Sequence, residues 1–168
     1  MPRIILKINN ENTIIPTSEQ VCCYMADSRL SAEMFQRLIQ SGKMVLSFGD
    51  NAYEVCRQYN LDGVVVIIDS SKPVKIQLKP LREKLKNKTL GVIIPPRRHE
   101  AMLAGEVEPE FVAFRLQDYA SSKELIEWYN DLFLLPLALD FSASDKPIPP
   151  EWDDFVIIDA KKFSDSGC

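Results

Sequence analysis

The chain has 168 residues, 46% apolar and 26% charged, with a formal net charge of −4 and a pI near 5.1. That is the profile of one globular domain, residues 1–168, with enough chain for a real core. It argues against a sequence-independent nucleic-acid binder, which needs a basic face. No apolar stretch approaches the ~18 residues of a membrane span, and the opening Met-Pro-Arg-Ile-Ile-Leu-Lys reads as a strand rather than a signal peptide. The default expectation is a cytoplasmic protein with neither nucleic acid nor membrane as partner.

A first apolar run predicts a strand over residues 3–8. The polar stretch 9–20, with Pro16, argues against a helix before the second strand, 21–25. Leu30, Met34, Leu38 and Ile39 share one helical face ahead of strand 44–48. Ala52, Val55, Cys56 and Tyr59 share another ahead of strand 63–68, whose unbroken Val64-Val65-Val66-Ile67-Ile68 is the pattern of a strand covered on both sides. Leu78, Leu81 and Leu85 mark a short helix before strand 90–94, and residues from His99 to about Val107 mark another before strand 111–115. A capping box from Ser121 to Glu124 opens the broadest apolar stripe, Leu125 through Phe133, ahead of strand 135–141. Pro147, Pro149 and Pro150 forbid a regular helix over 142–152. After the last strand, 155–159, nine residues remain, too few for much of a helix.

Eight strands against five convincing helices fit either an eight-stranded barrel or an open doubly wound sheet. A barrel usually takes ~250 residues, so one here is trimmed. Helices missing after the first and seventh strands predict bare apolar flanks, and from these a homo-oligomer. Of the four cysteines, Cys22 and Cys23 lie in a strand, Cys56 on a helix face and Cys168 at the end. Without a C-x-x-C spacing and with a single histidine, they read as buried or bystander thiols.

Candidate chemistry gathers where strands end. Six runs stop at or near an aspartate: Asp27, Asp50, Asp69, Asp118, Asp140 and Asp159. Parallel strands bring such carboxylates to one end of the fold, where α/β proteins place their sites. The sharp reading is a magnesium site, since hard cations take carboxylate oxygens. The plainer reading is a set of helix caps. Capping suits Asp27 and Asp50, which precede helices, but not Asp140 and Asp159. Arg97 and Arg98, with His99, follow the fifth strand at a helix start; the sharper reading is a site for a small phosphorylated or anionic ligand as partner. The plainer reading, and the favoured one, is a solvated basic turn. Glycine is scarce, six in all, and no phosphate-cradling G-x-G-x-x-G or P-loop is present. Acids and no glycines follow the last two strands, where barrels frequently hold phosphate.

Asn60-Leu-Asp-Gly-Val-Val-Val, Leu90-Gly-Val-Ile-Ile, Arg98-His-Glu-Ala-Met-Leu-Ala-Gly-Glu and Pro109-Glu-Phe-Val-Ala-Phe, in that order and spacing, resemble the thiamine phosphate synthase/TenI family. Residues 124–139 and Asp154-Phe-Val-Ile-Ile-Asp extend the likeness to roughly 44–160, nearest the divergent α-proteobacterial type. The resemblance implies a parallel TIM (β/α)8 barrel, here compact and trimmed, with some flanking helices missing. It also implies thiamine biosynthesis: a magnesium-dependent transferase joins a pyrimidine pyrophosphate to a thiazole phosphate and releases pyrophosphate.

The family's functional positions carry over unevenly. Its Asn-Asp-Arg falls on Asp50-Asn51-Ala52, without the arginine, while its acidic metal position is matched by Asp69, so Asp50 and Asp69 are the implied metal residues. The serine of its "GVS" strand falls on Ile93. Of its "GPVFPTxTK" motif only the final lysine, Lys123, is retained, with Ser122 for threonine. Its substrate-contacting "QLR" falls on Tyr24-Met25-Ala26, and its phosphate-binding glycines and serine fall near Asp140-Phe141 and Asp159. Candidate anion-binding residues are therefore Lys123, Arg97 and Arg98, and no residue stands out as catalytic. The resemblance implies a degenerate, non-catalytic or repurposed member that binds a ligand or partner. The alternative is an active, divergent synthase using Asp50, Asp69 and Lys123, and a third is a metal-dependent enzyme of unrelated chemistry.

Overall fold

A computed structural model of the chain describes residues 2–165. The apolar runs form β1 (Ile4–Ile8), β2 (Val21–Asp27), β3 (Met44–Phe48), β4 (Gly63–Ile67), β5 (Thr89–Ile94), β6 (Phe111–Arg115), β7 (Leu137–Asp140) and β8 (Phe155–Asp159). All pair in parallel in sequence order, and β8 closes on β1, so the sheet is a barrel and not an open one. Side-chain alternation divides the apolar residues into two sets. Outward residues such as Leu6, Tyr24, Val92, Phe114 and Leu139 pack beneath the helices. Inward residues such as Ile5, Met25, Leu46, Val65, Ile93 and Ile157 fill the barrel.

The helices are α1 (Ala32–Gln40), α2 (Ala52–Tyr59), α3 (Val74–Leu85), α4 (Arg98–Glu106), α5 (Tyr119–Leu132) and α6 (Ala160–Asp165). Two predicted helix starts move. Ser31, not Asp27, caps α1, its hydroxyl accepting from the Met34 amide at 3.2 Å. α5 starts three residues ahead of the expected capping box. Asp118 takes the Ala120 amide at 3.3 Å, and the Ser121 hydroxyl turns back to donate to the Asp118 carbonyl. The short segment after β8 does form a helix, α6, because Phe163 has a buried place against the barrel.

The expectation of bare flanks is corrected. No helix follows β1 or β7, yet Ile4, Leu6, Ile8, Leu137, Leu139, Val156 and Ile158 are all buried. Loop side chains do the covering: Ile15 from the first connection, Ile148 and Trp152 from the proline-rich one. The Tyr24 hydroxyl donates to the Pro16 carbonyl at 3.3 Å, and the Trp152 indole donates to the Phe155 carbonyl at 2.9 Å. These bonds pin the loops down. A proline-rich segment cannot supply a helix, but it can supply apolar surface in a fixed conformation. The argument for an oligomer from missing helices therefore falls away. No helix among the described residues is long and apolar enough to cross a membrane.

Candidate functional site

Each strand ends at the barrel mouth, and the aspartates there share one local device. The carboxylates of Asp27, Asp69, Asp118, Asp140 and Asp159 accept from the backbone amides of Arg29, Ser71, Ala120, Ser142 and Lys161, at 2.9, 3.0, 3.3, 2.9 and 3.0 Å. In every case the donor is two residues ahead, the Asx-turn bond by which a short acidic side chain closes a turn. At Asp118 and Asp159 the same bond caps a helix, α5 and α6. Asp159, which had no visible helix to cap, caps one.

Asp50 is the exception. The residue before α2 is Asn51, in the left-handed region at φ 56°, and no side chain caps that helix. Asp50 is exposed, and its backbone carbonyl accepts from the Ser28 hydroxyl. The expected cap at Asp50 is absent because the chain turns sharply at Asn51.

Electrostatics separate the acids further. Asp27 is buried, and Arg29 holds both its oxygens, at 3.1 and 3.0 Å. The Arg29 hydrogen bond holds the Asp27 carboxyl below the usual carboxylate range against the opposing effect of burial, and the Lys7 charge adds to it. The Asp69 carboxyl is also held low, first by the Ser71 hydroxyl at 2.7 Å and its amide, then by the Lys72 charge. Asp69 has Lys72 3.9 Å away, and Asp50 lies in the field of Arg29. A magnesium ion at Asp69 would have to compete with Lys72 and with the Ser71 bonds. Among the described residues, no group of three or more His, Cys, Asp or Glu is placed to hold a metal.

The proposed anion-binding residues are not gathered on one point. Arg97 precedes α4 and lies 3.6 Å from Glu100, whereas the Arg98 guanidinium sits 5.2 Å from the Trp128 ring centroid. Lys123 is exposed in the second turn of α5, away from the amides at its start. His99 is exposed beside a shallow cavity that Lys75 and Glu100 also line.

Two cations that the sequence reading passed over do face the mouth. Ile5 and Ala113 are inward, so Lys7 and Arg115, two residues on, are inward too. The Lys7 ammonium lies 5.3 Å from the Phe48 ring centroid, inside the barrel. In register, Lys7 neighbours Asp159 and Arg115 neighbours Asp140. The signal was the parity of Ile4-Ile5-Leu6-Lys7-Ile8: one lysine in an apolar run must face either helices or the barrel interior.

The opposite end of the barrel is hollow. A cavity of about 430 Å³ opens among the strand starts, lined by Ile5, Cys22, Cys23, Met44, Phe111 and Phe155, with Arg3 and Glu110 at its edge. A β-bulge in β2 directs both cysteines there: Ile4 pairs with Val21 but Ile5 pairs with Cys23, so Cys22 is the extra residue. Burial pushes the Cys22 and Cys23 thiols up, so neither is an activated nucleophile; Cys23 is buried, while Cys22 keeps enough exposure to meet a small reagent. Cys56 is free and buried, and Cys168 lies outside the described residues. No protein-family model and no curated protein sequence matches the chain.

Proposed function

We propose that this chain is a thiamine phosphate synthase-like barrel that has lost the coupling reaction and holds a small ligand or partner at its altered mouth without turning it over. The observation that carries this reading is the pair Asp140 and Asp159 at the ends of β7 and β8. Each gives one carboxylate oxygen to its own turn. Phosphate at that place would need backbone amides and glycine. Here it would meet carboxylates, one of them, Asp140, only 3% exposed. Lys7 and Arg115 can answer a single anionic group, but each has an aspartate as its register neighbour. A pyrophosphate and a phosphate bound together would need more positive charge than that.

The test is direct. The protein is incubated with a pyrimidine pyrophosphate, a thiazole phosphate and magnesium, and thiamine phosphate and pyrophosphate are followed by chromatography. The expected result is no product above a protein-free control. Turnover would overturn the reading in favour of an active synthase.

A further inference from the structure

TIM-barrel interiors are packed layers of side chains, not pores. Here the packing gives out toward the amino ends of the strands. The reason lies in residue size: the interior carries Cys23, Ala113 and Ala138, and Gly91 offers no side chain at all. The Phe111 ring lies in the space a Gly91 side chain would need, with its tip 2.2 Å from where a Cβ would stand. That leaves the cavity between Phe111, Phe155, Met44 and the two cysteines unfilled. Its volume, about 430 Å³, falls within the roughly 300–1,000 Å³ of small-molecule sites.

We propose that the floor of the barrel, at the amino ends of the strands, is a binding site for a small uncharged apolar molecule, distinct from the mouth. Shape and lining set the size and apolarity of the occupant; the rim sets its charge. Both rim ions are already matched within the protein. The Arg3 guanidinium pairs with Asp154 at 3.2 Å and lies 4.0 Å over the Phe155 ring. Glu110 takes Arg82 at 2.5 Å and the Leu90 amide at 3.1 Å. Neither rim ion is left without a counter-charge, so the floor offers a charged ligand no unmatched partner, whereas a neutral one needs none. The lining is phenyl rings, a thioether, an isoleucine and thiols, which are polarisable and adaptable contacts for an aliphatic or aromatic body. The cavity opens to solvent, and water over so apolar a lining finds few hydrogen-bond partners, so an apolar guest gains by displacing it.

The experiment uses N-phenyl-1-naphthylamine, a neutral probe that brightens in apolar surroundings, titrated into the full chain. Saturable binding of one probe per chain is expected. Met44→Trp, at the exposed lip, and Thr89→Phe, where the start of β5 also lines the cavity, should each weaken it by about tenfold, the effect of excluding about two methylenes' worth of buried contact. Thermal melts confirm that each variant is folded. Location is read separately: bound probe should slow alkylation of Cys22 by N-ethylmaleimide, followed by peptide mass mapping. Non-saturable binding, binding indifferent to both folded variants, or unchanged Cys22 alkylation would each overturn the proposal. So would sedimentation showing a dimer whose dissociation is needed before the probe enters, since the floor would then be filled by a second copy.

Discussion

At the carboxyl end of the barrel, five aspartates each commit an oxygen to an amide two residues ahead, and inward Lys7 and Arg115 sit beside two of them. At the amino end, two phenylalanines, a methionine and two cysteines surround a space that no side chain fills. The usual chemical end of such a fold thus spends much of its acid on its own turns and leaves Lys7 and Arg115 to meet a ligand, while the end usually reserved for stability is open. Charge density alone is a poor guide to a site. A carboxylate that closes a turn has done its work, and an apolar hollow leaves contacts unmade.

The sharpest way to break this comparison is through the two glycines near the floor. A Cβ on Gly63 would stand 1.9 Å from the Thr89 carbonyl oxygen, and that neighbour is backbone. Gly63→Ala must push β5 away from β4 and should destabilise the fold by about 3 kcal/mol, the top of the common range for overpacking, because no rotamer change relieves it. Gly91→Ala meets the Phe111 ring first, and that side chain can swing into the floor cavity. It should cost about 1 kcal/mol and close the hollow. Urea melts of the two variants check the order; equal losses would mean that Phe111 has no space to move into.

Asp27 sharpens the other half. It is the most heavily bonded acid of the mouth, and Asp27→Ala should cost about 1–2 kcal/mol, limited by the exposure of its partner Arg29. Its pH signature has a definite sign. Because the folded carboxyl titrates below its unfolded value, its stabilisation is present in full above about pH 4 and is lost as the pH falls through the folded value. Asp27→Asn should flatten the acid limb of a stability–pH curve. A limb unchanged in that variant would show that Arg29 does not hold the charge.

The parallel strands were legible in the chain, but their closure was not, since the residues allowed an open doubly wound sheet as well. Unbroken runs such as Val64–Ile67 have the pattern of strands covered on both faces, and the helices between them pointed to a parallel sense. What escaped was set by contacts distant in sequence or by a single residue's parity. Ile15, Ile148 and Trp152 look like loop residues until the bare faces of β1, β7 and β8 are there to receive them. Lys7 was hidden because an apolar run reads as one object, although its side chains alternate. The bulge at Cys22, which turns two adjacent cysteines to one cavity, leaves no mark in composition. The chemical character of the strand ends was visible; their commitment to local turns was not, because Asp-x-N–H bonding depends on the dihedral angles of the following residue.

The smallest predicted effects separate the two aspartates that sequence reasoning placed on opposite sides. Asp50 precedes an eight-residue helix, the position where a cap is expected, whereas Asp159 precedes a six-residue helix that was not expected at all. Yet the Asp159 carboxylate takes the Lys161 amide at 3.0 Å, and Asn51, at φ 56°, intervenes between Asp50 and the first turn of α2. Asp159→Ala should therefore cost about 1 kcal/mol and loosen Phe163, which α6 holds against β8 and β1. Asp50→Ala should change stability by no more than about 0.5 kcal/mol. Paired denaturant melts decide it, with one control: if magnesium stabilises the parent but not Asp50→Ala, then Asp50 serves a metal. Without that difference, the one mouth aspartate that closes no turn is an ordinary surface charge.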